Sequence, residues 1–124
     1  MNTPALGPDP RPQLSSDSPT PKIKGWICEK CHHPLALPAP WCPLCHGALH
    51  DAQWGPSGQV WSSTVLRVPL PGRTPPLMLA YVDLDDGPRV LGHVSSETVE
   101  RLHVGERVTL VGASPEGDLL FATE

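Results

Sequence analysis

Four cysteines stand in two pairs, Cys28-Glu-Lys-Cys31 and Cys42-Pro-Leu-Cys45, with ten residues between the pairs. Two residues between thiolates let both sulfurs of a tight turn face one ion, and two such turns complete a tetrahedral S4 site. The spacing points to Cys28, Cys31, Cys42 and Cys45 as the ligands of a single metal ion. Zinc is the expected ion. Iron in a rubredoxin-like site would use the same ligands, and spacing does not separate the two. Pro43 inside the second knuckle and Trp41 beside it fit a tight, locally packed turn. Four thiolates leave no open position for water, so the ion is expected to be structural. A ribbon of about thirty residues buries too little to fold alone, so metal binding supplies its folding energy, about 10–16 kcal/mol.

Each pair is followed by a histidine, His32 and His46, so each is formally also a CxxCH haem-attachment motif. A dihaem carrier would draw distal ligands from His33, His50, His93 or His103. It would also need export, for which no signal segment is present, and apolar wrapping that this proline-rich stretch lacks. The plainer account of His32 and His46 is conformational. The residue after a knuckle's second cysteine often takes positive φ, which histidine tolerates better than most side chains.

Other groups offer less chemistry. Asp83, Asp85 and Asp86 read as an exposed hairpin turn rather than a cation site. Ser62, Ser63 and Thr64 sit in a strand with no histidine or carboxylate at useful spacing, so none is expected to be a nucleophile. His93 and His103 read as ordinary, partly buried residues rather than general bases. Arg67, Arg73 and Arg89 could meet phosphates, but surface arginines are commonly just solvated. No phosphate cradle or other catalytic signature is present, and no catalytic residue is assigned.

The elements that must position the thiols divide the chain into three. Residues 1–21 hold six prolines and almost nothing apolar, too little to offset an ordering entropy of about 1–2 kcal/mol per residue. This segment reads as a disordered tail, either a plain extension or a partner-docking motif. Residues 22–54 contain every cysteine and four of the six histidines, and form the expected zinc ribbon. Residues 55–124 alternate apolar and polar side chains between turn signals, the pattern of an all-β domain. Strands are predicted over 58–68, 77–84, 89–94, 106–113 and 118–122, with Val60, Ser62, Thr64, Leu66 and Val68 on one face of the first. Pro69–Pro76 must be a loop. Gly87 supplies a residue able to take positive φ in the turn after Asp85-Asp86. Ser96 is expected to cap a short helical turn with Val99 and Leu102 inward and Gly105 at its end. Five strands with one helical turn between the third and fourth is the order of an OB-fold barrel. The predicted fold is all-β, a rubredoxin-like zinc ribbon followed by that barrel.

The chain of 124 residues carries a net charge of −4. From Gly58 onward it holds five arginines and no lysine against nine acidic residues, which argues against a nucleic-acid partner. A single-strand binder also needs stacking aromatics, and the barrel offers only Trp61, Tyr81 and Phe121. The longest apolar stretch, Leu77–Val82, has six residues, far short of a membrane span. Without a secretory signal the protein is expected to be cytoplasmic, where cysteines serve metals rather than disulfides.

CxxC, a spacer with Pro and Trp, CPxC and a further Trp are followed by GQVWSSTVLRVP, LMLAYVDLDDGPRVLGHV and VGERVTLVGA. Over residues 24–123 this order resembles the zinc-ribbon/OB-fold proteins of domain-of-unknown-function family 35. The resemblance implies a small non-catalytic subunit of lipid metabolism, assembled with a thiolase-like enzyme or an acyl-CoA hydratase, whose barrel can help receive acyl-CoA. Only Cys28, Cys31, Cys42 and Cys45 carry over as the family's functional residues. Relatives often have a helical segment before the ribbon, and many have glycine where this chain has His32 and His46. Two readings from other classes stand beside it, a single-stranded nucleic-acid module and a rubredoxin-like or haem electron carrier.

Overall fold

The structure is a computed structural model that describes residues 10–16, 18–96 and 98–124. Three strands, β1 (Ile23–Cys28), β2 (Pro34–Leu35) and β3 (Leu49–Trp54), form an antiparallel sheet in the order β2-β1-β3. Five more, β4 (Ser57–Leu66), β5 (Leu77–Leu84), β6 (Arg89–Ser95), β7 (Arg107–Ala113) and β8 (Leu119–Thr123), close a barrel in the order β4-β5-β6-β8-β7. Its one parallel pairing joins β6 to β8. The molecule is all-β, as the alternating pattern requires, and β5 keeps its predicted bounds.

Alternation is cleanest in β5, where Met78, Ala80, Val82 and Leu84 point into the barrel. They pack with Val60, Val90, Val94, Val108, Leu110, Leu119 and Phe121 in one cluster that also takes in Ile23 and Trp54 of the ribbon sheet. β4 departs from the expected single face. A bulge between Val60 and Ser62 shifts its register on β5, so Val60 points inward before it and Val65 packs inward after it. An extra residue reverses the phase of a period-two pattern, which strict alternation cannot anticipate.

Residues 96–106 also differ from expectation, since no helix occurs among the described residues. Leu102 is buried as expected, but Val99 is exposed, and the Ser96 hydroxyl accepts a local bond from the Thr98 N–H. Val60 instead holds the end of this segment on both sides, its N–H donating to Glu106 and its carbonyl accepting from Gly105. Those long-range bonds satisfy the backbone without a helical turn.

Gly87 is required for a different reason than positive φ, a conformation it does not adopt. The Trp54 ring lies so close that a Cβ on Gly87 would come within 2.7 Å of it, and one on Gly25 within 2.1 Å. The indole N–H donates to the Leu35 carbonyl at 2.9 Å. Trp54 is thus a pin held between the ribbon sheet and a barrel turn, with glycines making room on each side.

Of the segment expected to be a disordered tail, residues 10–16 and 18–21 are described, and part of it pairs against β1. Lys24 donates its N–H to Gln13, Ser15 donates to Lys22, and Leu14 bridges to Ile23. Arg11 reaches across to Asp118 and the Glu116 carbonyl. Pairing against β1 gives this proline-rich arm backbone partners and a carboxylate that composition does not reveal. Residues 1–9 and Asp17 lie outside the described residues.

Candidate metal centre

The two knuckles are built alike. In the first, the His32 N–H donates to the Cys28 carbonyl at 3.0 Å and the Cys28 N–H to the His33 carbonyl at 3.1 Å. In the second, the His46 N–H donates to Cys42 at 2.9 Å and the Cys42 N–H to Gly47 at 2.9 Å. His32 and His46 both take a φ of 62°, the left-handed turn expected after each second cysteine. The backbone N–H groups of Lys30 and Leu44 point at the sulfurs of Cys28 and Cys42, at 3.4 Å each.

These turns bring all four Sγ atoms within 4.8 Å of one another. Cys28 and Cys45 are 3.4 Å apart and Cys31 and Cys42 3.6 Å. An ion about 2.3 Å from each of four tetrahedral sulfurs sets them about 3.8 Å apart, so the cluster needs little adjustment to hold one. Convergence on one point is the arrangement of a single ion, whereas two attached haems would need the pairs apart. Cys28 and Cys42 are buried and Cys31 and Cys45 exposed, so one sulfur of each knuckle faces the protein and one faces solvent.

Cys28 and Cys31 do not titrate alike. The backbone N–H of Cys31, opposed by burial and aided by that of Lys30, brings Cys28 down to about 6. A bond from the backbone of His33 draws Cys31 down, but burial and the sulfurs of Cys42, Cys45 and Cys28 outweigh it and push it up to about 12. Cys28 and Cys31 therefore resist losing their protons together. A divalent cation among them reverses that, because coordination deprotonates a thiol outright. The donor set fits a soft, tetrahedral ion and fills its coordination sphere.

Gly47 belongs to the site although its type gave no signal. A Cβ there would lie 2.9 Å from the Cys28 sulfur and 3.2 Å from that of Cys45. The position after His46 must be glycine because the chain runs directly against the Cys28 and Cys45 sulfurs.

Several of the remaining candidates are occupied in structural work. Asp83 pairs with Arg89, Asp85 with Arg107, and Asp86 accepts the Gly55 N–H at 2.9 Å. The Ser63 hydroxyl donates to the Leu102 carbonyl at 2.8 Å. Arg73 grips Asp118 at 2.8 Å, with His93 3.3 Å from the same carboxylate. Phe121 is fully buried, which removes it from any stacking surface, while Trp61 and Tyr81 stand outside the barrel.

Three comparisons bear on what such a molecule is. Residues 52–113, half of the chain, match the family model described as "ChsH2, C-terminal OB-fold domain". One chain of the solved structure named "Ltp2-ChsH2(DUF35) aldolase" is 25% identical and superposes with a TM-score of 0.68. That likeness covers 82% of this chain and 84% of the other. No curated protein matches.

Proposed function

The chain belongs to the family described as ChsH2, C-terminal OB-fold domain, and from that premise we propose that it is a cytoplasmic, non-catalytic zinc subunit. It assembles with a thiolase-like enzyme or an acyl-CoA hydratase of lipid metabolism and helps to bind that enzyme's acyl-CoA. One observation carries the reading. The likeness to the solved aldolase runs over 82% of this chain, too much to be the barrel alone, and that structure's name joins a DUF35 component to a second one, Ltp2.

The site's chemistry supports a non-catalytic role. Cys28, Cys31, Cys42 and Cys45 would hold the zinc ion, which supplies folding energy and no vacant position for substrate. The carboxylates of Asp83, Asp85 and Asp118 are each tied to an arginine, a poor arrangement for general acid-base work.

The test is purification of the tagged full chain from its native host, followed by native mass spectrometry. A near-stoichiometric enzyme of thiolase or hydratase type, with one zinc on this chain, is the expected result. A protein that purifies without a partner overturns the reading, and a coloured iron protein overturns the zinc assignment.

A further inference from the structure

The outer face of β4, β5 and β6 should be polar in a barrel that faces water, yet it carries an aromatic and aliphatic stripe. The register sets Ser62 beside Tyr81 and Tyr81 beside Leu91, and Thr64 beside Leu79 on the same face. The bulge at Val60/Ser62 leaves Trp61 as well as Ser62 outward, and the Trp61 ring meets that of Tyr81 edge-on at 6.0 Å. Trp61, Tyr81 and Leu91 are 48%, 45% and 44% exposed. Arg89 stacks over the Trp61 ring at 3.8 Å and is held there by the Asp83 carboxylate at 2.6 Å. Beside these residues lies a depression of about 240 Å³ floored by Leu79 and Ala80 and walled by Tyr81, Leu91 and Ser62–Thr64.

We infer that this face is where the partner enzyme subunit docks, an inference that rests on the function proposed above. Three features favour that occupant. Trp, Tyr and Arg are the side chains in which interface binding energy concentrates, and here all three are mutually packed on barrel strands. The depression offers a pocket for an apolar side chain of the partner. The charges beyond Tyr81 fix the partner's chemistry. Asp83, Asp85 and Asp86 outnumber Arg89 and Arg107 at that end of the strands. The matching surface is an apolar protrusion ringed by lysine or arginine. The same carboxylates repel a phosphate backbone, which disfavours a nucleic acid on this face.

The competing apolar surface is on the ribbon, where Leu37, Trp41 and Leu44 are exposed and the Trp41 ring meets that of His46 edge-on. The experiment sets the two against each other, using the full chain co-expressed with the enzyme that co-purifies with the wild type. Tyr81→Asp and Trp61→Ser are compared with Leu44→Ser by titration against that enzyme, with thermal unfolding of each free variant as the control. Hydroxyl-radical footprinting of the wild type, free and in complex, reads the same surfaces without substitution. Loss of affinity of about 30-fold or more for the barrel variants at unchanged unfolding temperature, with Trp61 and Tyr81 protected in the complex, is expected. Protection of Trp41 and Leu44 instead, with the barrel residues still reactive, overturns the inference and leaves the subunit reading intact. A wild-type chain that binds no enzyme removes both.

Discussion

At the scale of single residues, the metal centre depends on one position that donates nothing to the metal. Gly47 lies against the sulfurs of Cys28 and Cys45, so Gly47→Ala drives a methyl group into atoms already close-packed. The Cys28 sulfur is held by the backbone N–H groups of Lys30 and Cys31 and cannot retreat without opening the knuckle. Zinc affinity should fall by about 10–100-fold, the usual cost of disturbing the groups that support metal ligands. Competition with a chromophoric chelator reads this directly, and an unchanged affinity would show that the knuckles yield more than their bonding implies. The cysteine cluster was legible because two-residue spacing is a property of neighbouring positions. Gly47 was not, because its constraint comes from Cys28, which only folding brings near it.

Among elements, the arm, the Pro69–Pro76 loop and β6 meet on Asp118, whose side chain is 11% exposed. Burial alone would raise this carboxyl, but bonds from Arg73 and then Arg11, with the charge of His93, outweigh it and hold it below the usual carboxylate range. A carboxyl depressed on folding contributes stability that is present above its unfolded pKa and lost as pH falls through the folded one. That loss begins below about pH 4. Asp118→Asn should destabilise the protein by about 1–3 kcal/mol at neutral pH by stranding its cationic partners. It should also flatten the acid limb of the unfolding temperature against pH below 4, and an unchanged limb would place the acid sensitivity elsewhere. The carboxylate and Arg11 are 107 residues apart in the chain, and no local pattern links them. Strands such as β5 were legible for the opposite reason, since buried alternation is written residue by residue. The bulge in β4, the arm on β1 and the unhelical segment after β6 were not, because each answers to a distant neighbour.

Over the whole molecule, the question is whether the ribbon and barrel stand or fall together. The ribbon buries little of its own, and its knuckles have no core beyond the sulfurs, so chelation should unfold β1 to β3. The barrel closes on itself through β4 and β7, and its core is supplied mostly by its own strands. The ribbon adds Ile23 and Trp54 to that core, and Lys22 reaches over to donate to the Gly55 carbonyl at 2.8 Å. Losing two large buried side chains removes about 1.5–3 kcal/mol each, which is serious against a typical stability of about 5–15 kcal/mol but need not exhaust it. Excess EDTA should therefore give a partly folded chain. Amide exchange should become fast across Ile23–Trp54, while β5, β7 and β8 stay protected, with a barrel that melts at a lower temperature than in the metal-bound protein. Fast exchange in β5 and β8 as well would mean that Trp54, pinned between Gly25 and Gly87, makes ribbon and barrel one cooperative unit.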